Sequence, residues 1–319
     1  MPYRLTAATD TLRLRARMLA RTRAFFAARG VLEVETPALS EAAPTDPALE
    51  SVEAAVGALG RAQYLHTSPE LAMKRLLAAG VGDMYQICRV FRDGELGRWH
   101  QPEFTMLEWY RVGWDDDRLM DEVEALVRDA LGETARAWPA ERVTYRHAFD
   151  RALGVDPLRD AQGVGARLAE HGVDVPPGLD ADALLDLALS VVIVPGFARD
   201  ALTFVHDYPP TQAALARIKP GEPPVAARFE LFAGGLELAN GFFELTDARE
   251  QRRRFESDRA VRRRRGQRTP PLDEDFLAAL EQGLPACAGV ALGFDRLVAV
   301  AGALPSLADA VAFAHLPPR

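Results

Sequence analysis

Residues 84–112 read MYQICRVFRDGELGRWHQPEFTMLEWYRV, and this stretch decides the fold that the sequence predicts. Its two ends are apolar and aromatic, whereas 93–101 is polar and contains glycine. Apolar runs on both sides of such a segment are typical of two strands joined by a loop. Further strand-like runs cover 201–206 and 225–245, with helical patterns around them. We therefore expect an α+β fold on an antiparallel sheet flanked by helices.

Helices are predicted where apolar residues recur at three-to-four spacing. The first should be capped by Asp10 or Thr11 and should end before Gly30. A short strand is expected after it, at 31–35. Residues 116–190 are predicted to be mostly helical, with a break near 172–178. The other predicted helices cover about 68–77, 248–265, 273–282 and the second half of 289–301, which begins glycine-rich.

The composition limits the class of protein. The chain of 319 residues is 48% hydrophobic, carries a net charge of −8 and contains two cysteines far apart in sequence. This composition fits a soluble cytoplasmic protein with no membrane partner. The longest apolar run, about 187–198, contains Pro195 and is shorter than the ~20 residues that span a bilayer. The acidic total argues against broad attraction to nucleic acid, and neither Lys74 nor Lys219 falls in a phosphate-binding G-x-x-x-x-G-K loop.

Three glutamates recur at intervals of seven residues, at Glu230, Glu237 and Glu244. A turn signal, 233–235, separates the first two, so Glu230 and Glu237 should lie opposite or diagonal to one another on a hairpin. Adjacent carboxylates repel unless a cation joins them, and Mg²⁺ prefers such oxygen ligands. The pattern indicates a magnesium site at Glu230 and Glu237. The alternative that stays open is a pair of solvated glutamates on an exposed face.

Two further segments carry groups suited to a nucleotide. Arg92 lies at the end of the first predicted strand, where a guanidinium can bind a phosphate in bidentate fashion, and Phe104 could stack on a purine. Arg296 follows the spaced glycines of 289–293 near a predicted helix start, where it could reach a phosphate. The alternatives are a surface hairpin with Phe104 in the core, and glycines that only permit tight packing.

Together these segments resemble the three motifs of the class II aminoacyl-tRNA synthetases. Motif 1, the dimer interface of that family, resembles FFAARGVLEVETP at 25–37; motif 2 resembles RVFRDGELGRWHQPEFTMLEW at 89–109; motif 3 resembles GVALGFDRL at 289–297. The lysyl branch is similar to TSPELAMKRLL at 67–77 and ELANGFFELTDAREQ at 237–251. The resemblance covers nearly the whole chain. It implies the catalytic core of that family, the use of ATP and Mg²⁺, and a homodimer.

The chain differs from a bacterial lysyl-tRNA synthetase in two respects. Motif 1 begins within about 25 residues of the start, too few for an anticodon-binding domain. Residues 1–319 are therefore read as a single catalytic domain with a mostly helical insertion at about 115–195. GVALG also has Ala291 where synthetases have a glycine. Both features are similar to the stand-alone lysyl-type paralogues that ligate (R)-β-lysine to a lysine of elongation factor P. The resemblance implies these two partners and no tRNA.

The resemblance also implies a role for each residue of the nucleotide site. Arg92 and Arg296 are the catalytic arginines, which bind the α-phosphate and the γ-phosphate of ATP. Mg²⁺ is held by Glu230 and Glu237. The family pattern Arg-x-Glu is absent, so Glu95 is expected to replace the missing glutamate through a shifted loop. The other implied nucleotide contacts are Asp93, Gly94, His100, Gln101, Phe104, Leu238 and Gly293.

The implied amino-acid pocket consists of Ser68, Pro69, Glu70, Tyr110, Asn240, Glu244 and Ala291. Glu70 is expected near the amine at the backbone end, and Glu244 at the distal ammonium with Tyr110 beside it. A buried carboxylate is the natural partner of a desolvated ammonium. The extra methyl of Ala291 should narrow the pocket, disfavour an α-amino acid and favour an amine on the β-carbon.

Two other functions stay open from the sequence. One is a truncated lysyl-tRNA synthetase that charges tRNA, and the other is a non-catalytic, synthetase-like regulator. The arginines at 252–254 and 262–265 are interpreted as a solvated helix face. Their alternative interpretation is a docking surface for an acidic protein such as elongation factor P.

Overall fold

The computed structural model of the chain describes residues 5–316. Its α-helices are α1 (Thr9–Ala27), α2 (Glu70–Ala78), α3 (Asp116–Leu131), α4 (Tyr145–Leu153), α5 (Val164–Glu170), α6 (Ala181–Ala188), α7 (Ala248–Arg264), α8 (Glu274–Gly283) and α9 (Phe294–Ala301). Its strands are β1 (Leu32–Glu33), β2 (Leu39–Ser40), β3 (Glu53–Ala55), β4 (Ala62–Leu65), β5 (Met84–Phe91), β6 (Glu103–Val112), β7 (Ala140–Thr144), β8 (Leu202–Tyr208), β9 (Ile218–Lys219), β10 (Val225–Ala233), β11 (Leu236–Phe243) and β12 (Cys287–Gly293).

The main sheet has nine strands in the order β1-β5-β6-β12-β11-β10-β8-β7, with β9 beside β10. The pairs from β5 to β8 are antiparallel, and the outer pairs β1–β5 and β7–β8 are parallel. A small second sheet has the order β2-β4-β3. The prediction of an α+β fold on an antiparallel sheet flanked by helices is therefore confirmed.

The main sheet presents its two faces to different surroundings. One face packs against α1, α3 and α9, and its side chains, such as Leu107, Trp109 and Val290, are buried in the main core. Because side chains alternate along a strand, the residues between these point the other way. The opposite face carries Glu108 and Ala291, so charged and small side chains gather there. This second face is where a ligand site has to be sought.

The helices between β7 and β8 form a second hydrophobic core at the far edge of the sheet. Tyr145, Phe149 and Leu185 pack there with Phe232 and Phe242 of the main sheet. The helices α3 to α6 agree with the helical prediction for 116–190. Strand β7, which pairs in parallel with β8, was not predicted. Its five residues gain their partner from β8, and local sequence carries little of that information.

Most other predicted boundaries lie close to those observed. The strands β5 and β6 reproduce the predicted pair, and α2, α7 and α8 begin and end within two residues of the expected positions. The predicted cap of α1 is wrong, because the N-cap is Ala8 and Asp10 instead bonds Arg13 within the first turn. The strand expected at 31–35 is reduced to β1. The glycine-rich first part of 289–301 belongs to β12, a central strand of the main sheet, and the predicted helix follows it as α9.

Candidate active site

A row of side chains crosses the centre of the main sheet. Glu230 pairs with Asn240, Asn240 with Ala291, Ala291 with Glu108, and Glu108 with Gln86. Paired residues on neighbouring strands point to the same face. The row therefore lies on the face away from the main core. It places the predicted site residues Glu230, Asn240 and Ala291 in one line across β10, β11 and β12.

Three carboxylates and one ammonium meet beside this row, and they are termed the acidic pocket: Glu70, Glu108, Glu244 and Lys74. Lys74 Nζ lies 2.7 Å from Glu70 Oε1 and 2.6 Å from Glu244 Oε2. Glu108 accepts hydrogen bonds of 2.7 Å from Ser68 Oγ and from Tyr110 OH. Lys74, Glu108 and Glu244 are buried and Glu70 is half-buried. Elements distant in sequence thus supply one cluster of charged side chains.

Burial governs the ionisation of the acidic pocket. Burial, reinforced by the charge of Glu70, raises the pKa of Glu108 to about 8. Burial also raises the pKa of Glu244 to about 7, although Lys74 opposes it. Burial disfavours the Lys74 ammonium, but Glu244 and Glu70 together raise its pKa above the ordinary value.

The acidic pocket has more negative than positive groups. Above about pH 8, where Glu108 and Glu244 are both ionised, its three carboxylates and one ammonium give it a net charge of −2. Glu244 Oε1 has no hydrogen-bond partner within residues 5–316. A buried carboxylate oxygen without a partner is destabilising, so the pocket is suited to a ligand that brings ammonium groups.

Gly289 explains how Tyr110 and Glu244 fit side by side. A Cβ at this position would lie 2.2 Å from Tyr110 Cε1 and 2.5 Å from Glu244 Oε1. Atoms cannot approach so closely, so only glycine leaves the space that both side chains occupy. The structure thus places Tyr110 beside Glu244. Their roles toward a ligand stay a prediction.

The start of α2 forms the edge of the acidic pocket. Pro69 is the N-cap residue and Glu70 the first helical residue. Ser68 Oγ accepts a hydrogen bond from the Glu70 N–H at 2.9 Å and donates one to Glu108, so a single hydroxyl connects the helix to the sheet. Lys74 lies one turn further along, where residues four apart face each other. The three predicted residues 68–70 are therefore brought to the pocket.

Arg296 lies beside Glu237 and His100. Its Nη1 donates to the Glu237 carbonyl at 2.9 Å and lies 3.4 Å from Glu237 Oε2, and its Nη2 lies 3.0 Å from His100 Nε2. Burial and the charge of Arg296 lower the pKa of His100, so a neutral imidazole accepts from the guanidinium. These three residues predicted for the nucleotide therefore share one cluster.

Arg92, Glu95 and Phe104 form another cluster at the base of the loop between β5 and β6. The Arg92 guanidinium lies 5.1 Å from the Phe104 ring centroid, and its Nη1 lies 3.6 Å from Glu95 Oε1. Gly94 has a φ of 77°, and its N–H donates to Asp93 Oδ1 at 2.9 Å. The loop turns at this glycine and Glu95 lies beside Arg92, while its replacement of the missing glutamate stays a prediction.

Glu230 and Glu237 are diagonal neighbours, one of the two predicted arrangements. Glu237 pairs with Phe232, two residues from Glu230, and a bulge after Leu231 keeps both glutamates on one face. Burial raises the pKa of Glu230, Arg228 opposes this effect, and the charge of Glu237 adds to it. The negative charge of Glu237 therefore disfavours ionisation of Glu230.

The donor chemistry of this pair fits a divalent cation that is shared with phosphates. Glu237 has a side chain that is 42% exposed, whereas Glu230 is buried and bound by Arg228 at 2.5 Å. Within residues 5–316, no three His, Cys, Asp or Glu side chains form a ready-made metal cluster. Two carboxylates would hold Mg²⁺ only with further oxygens from phosphate or water.

Three other residues predicted to contact the nucleotide lie in three different environments. Gly293 is the N-cap of α9, and a Cβ there would meet the Arg296 side chain at 3.7 Å, an ordinary contact. The Leu238 side chain is buried in the main core, which leaves only its backbone for the predicted contact. Gln101 is also turned away, because its amide is bound to the backbone of His315.

Lys74 and Glu108 belong to the acidic pocket but were not predicted as site residues. Both stand inside the quoted motif segments, and two signals were available. Glu108 interrupts the apolar run between Leu107 and Trp109, and Lys74 follows Glu70 by four residues on a predicted helix. A charged residue inside an apolar strand indicates a paired or functional group, because burial of an unpaired charge is unfavourable.

The arginine-rich helix α7 is largely neutralised by its neighbours. Arg262 is 2% exposed and donates to the carbonyls of Asp46 and Leu49, so the interpretation as a solvated face is wrong for this residue. The ion pairs of these arginines are Arg252–Glu274, Arg253–Glu250, Arg254–Glu250, Arg262–Glu50 and Arg265–Asp180. Arg263 and Arg264 are exposed and form no ion pair within the described range.

Comparison with known proteins shows the family to which the chain belongs. The model of the family "tRNA synthetases class II (D, K and N)" matches residues 1–317. A protein of Klebsiella pneumoniae (strain 342) named elongation factor P--(R)-beta-lysine ligase is 47% identical over 97% of this chain and 96% of its own length. Proteins of the same name from Vibrio vulnificus (strain YJ016) and Vibrio cholerae serotype O1 are each 49% identical, over 93% of this chain and 93% and 92% of their own lengths.

None of the helices in the described range is both long enough and apolar enough to cross a membrane. The family match covers almost every residue, and it includes the strands and helices that carry the acidic pocket and both arginine clusters. The chain belongs to the family of class II tRNA synthetases (D, K and N).

Proposed function

We propose that this protein uses ATP to activate (R)-β-lysine as its adenylate and then transfers it to a lysine side chain of elongation factor P. The observation that carries the proposal is the acidic pocket, with its net charge of −2 when its carboxylates are ionised. β-Lysine brings two ammonium groups, which balance that charge. The named relatives, which align over more than nine-tenths of their lengths, support the choice of amino acid and acceptor.

The two ammonium groups are assigned to the two ends of the acidic pocket. Glu244, with its free Oε1 and Tyr110 beside it, accepts the distal ammonium. Glu70 and Glu108 accept the ammonium near the carboxylate end. Ala291 is the strand partner of Glu108, so its methyl lies next to that carboxylate on the same face. This methyl fills the space next to the sheet and favours an amine one carbon further from the carboxylate.

The nucleotide is assigned to the clusters around Arg92 and Arg296. Arg92 binds the α-phosphate, Phe104 stacks on the adenine, and Arg296 binds the γ-phosphate. Glu230 and Glu237 hold Mg²⁺, which supplies neutralisation of phosphate charge when it is bound. The chain's own contribution is to hold the reacting groups in line and to place positive charge where negative charge develops.

The reaction then requires no nucleophile from the protein. A carboxylate oxygen of β-lysine attacks the α-phosphorus of ATP, a new P–O bond forms, and the bond to pyrophosphate breaks. The neutral lysine amine of the acceptor next attacks the carbonyl carbon of this anhydride. An amide forms, AMP leaves with the bonding electron pair, and the amine proton passes to solvent.

We also propose that the protein is a homodimer through the segment that resembles motif 1. Leu32 lies within this segment and Leu39 follows it by two residues, and their relative exposures are 53% and 38%. Two exposed leucines close in sequence offer apolar surface to a second copy of the chain. Sedimentation of the purified chain as a dimer, and as a monomer after Leu32→Glu, would support this; a monomeric parent protein would contradict it.

The function is tested by the mass of elongation factor P after incubation with the protein, ATP and each lysine isomer. We expect an increase equal to one lysyl residue with (R)-β-lysine, and much slower modification with α-lysine. Unchanged acceptor mass together with charging of tRNA would favour a truncated synthetase. Unchanged mass and absence of ATP binding would favour a regulator.

A further inference from the structure

The end of the chain is attached to the loop between β5 and β6 at three points. Arg98 Nε donates to the Pro305 carbonyl at 2.8 Å, and the Leu307 N–H donates to the Arg98 carbonyl at 2.9 Å. Gln101 completes the set with two hydrogen bonds to one residue. Its Nε2 donates to the His315 carbonyl at 3.1 Å, and the His315 N–H donates to its Oε1 at 2.8 Å. Residues 305–315 are termed the tail.

The tail is itself anchored on its other side by the start of the chain. Thr6 Oγ1 donates to the Val311 carbonyl at 2.6 Å and accepts from the Ala314 N–H at 3.1 Å. The Thr6 N–H donates to the Ala312 carbonyl at 3.0 Å. The tail is therefore held between the N-terminal segment and the loop, and Gln101 is only 4% exposed at this junction. A buried amide with both ends paired is a specific, oriented connection.

The loop that the tail holds carries groups assigned to ATP. His100 precedes Gln101 directly and lies 3.0 Å from Arg296 Nη2. The Trp99 carbonyl, one residue earlier, accepts a weaker contact of 3.4 Å from Arg296 Nε. The Arg92 N–H donates to the Pro102 carbonyl at 2.9 Å. A displacement of residues 98–102 would therefore change the positions of both Arg92 and Arg296.

We propose that the tail positions the nucleotide-binding loop, and that Gln101 is the positioning residue through which it acts. The inference rests on the proposed function, because it takes Arg92 and Arg296 as ATP ligands. Gln101 does not touch the nucleotide with its side chain, since His315 occupies both ends of the amide. The tail should consequently influence ATP use and leave the acidic pocket unchanged.

The test is ATP–pyrophosphate exchange with (R)-β-lysine, measured for the parent protein, for Gln101→Ala and for the chain ended after Ala314. The truncation removes His315 without altering the loop. In each variant we expect kcat/KM for ATP to fall by about 10- to 100-fold, through a higher KM, a lower kcat or both. Small displacements of positioned groups have effects of this size. The KM for β-lysine should change less than about twofold. Combining both changes should add nothing, because each removes the same contact.

Gln63→Ala serves as the matched control. Gln63 is also buried, and its amide also donates to a backbone carbonyl, that of Ala62, but within residues 5–316 its side chain forms no hydrogen bond to the tail or to the loop. It should leave the KM for ATP unchanged. Normal ATP kinetics in both Gln101→Ala and the truncated chain would overturn the inference. A rise of the KM values for ATP and β-lysine by the same factor, together with a lowered Tm, would also overturn it, because that result indicates general destabilisation. A parent protein without exchange would instead contradict the proposed function.

Discussion

Replacing Glu108 by glutamine separates the requirements of ligand binding from those of folding. Glu108 is 2% exposed and lies in the row of side chains that crosses the main sheet, opposite Ala291. Glutamine has the same size but cannot supply a negative charge to an ammonium group. A hydrogen bond to a charged group contributes about 1.5–3 kcal/mol. We therefore expect kcat/KM for β-lysine to fall by roughly 10- to 150-fold at pH 8, with the KM for ATP unchanged.

The same substitution should stabilise the fold. Burial and the charge of Glu70 raise the pKa of Glu108 from 4.5 to about 8. The unfolded chain releases this proton near pH 4.5, whereas the folded chain keeps it until about pH 8. The contribution of Glu108 to stability is thus fully present below pH 4.5 and is lost as the pH rises toward 8. Glutamine does not titrate, so Glu108→Gln should raise the free energy of unfolding by about 1–3 kcal/mol at pH 7.

Pyrophosphate exchange and urea unfolding at several pH values measure both effects. The matched control is Glu122→Gln, because Glu122 is also a buried acid but accepts a hydrogen bond from Trp109 Nε1 on the other side of the sheet, near Arg111. Burial also raises the pKa of Glu122, so this control should likewise raise stability near neutral pH, but it should leave kcat/KM for β-lysine unchanged. An unaltered kcat/KM in Glu108→Gln, or equal losses toward β-lysine and ATP, would refute the assignment of Glu108 to the amino acid.

Three further changes have defined outcomes. Ala291→Gly should shift the ratio of kcat/KM from β-lysine toward α-lysine by about 10-fold or more, the effect of one methyl group in a pocket; an unchanged ratio would contradict the role of the methyl. Lys74→Met should destabilise the fold by about 3–5 kcal/mol. It should also move the acidic limb of the pH profile of kcat/KM for β-lysine to higher pH, because Glu244 loses the cation that opposes the effect of burial on its pKa. An acidic limb at the same pH would show that Glu244 does not govern binding. Arg263→Glu with Arg264→Glu should leave both adenylation and modification of elongation factor P unchanged if α7 is a solvated face, and slower modification at equal adenylation would favour a docking surface.

Much of the fold was predictable because local and global signals agree in it. The strands β5 and β6 have apolar runs, a polar glycine-containing loop between them and partners close in sequence. Strand β7 was missed because its pairing with β8 joins residues about sixty positions apart. The bulge after Leu231 was equally invisible, although it decides that Glu237 shares a face with Glu230. Register shifts depend on packing around the strand, which a single sequence does not display.

Site residues were predictable where they belong to a recognisable sequence motif. They were not predictable where their role depends on contacts between distant parts of the chain. Glu70, Tyr110 and Glu244 were named from the resemblance, and the structure brings them together around Lys74. Lys74 itself was missed because a lysine inside a helix is normally solvated. Gln101 was placed at the nucleotide because its neighbours in sequence belong there. Its side chain instead bonds the tail more than two hundred residues away, a contact without any local sequence signal.

The most direct test of the acidic pocket is pyrophosphate exchange with (R)-β-lysine compared with the same amino acid lacking its distal amine. Both compounds carry the reacting carboxylate, so they differ only in the cation offered to Glu244. We predict kcat/KM at least about 100-fold lower for the analogue, because it leaves a buried carboxylate unpaired. Equal exchange with the two compounds would contradict the recognition of a doubly charged amino acid by this pocket.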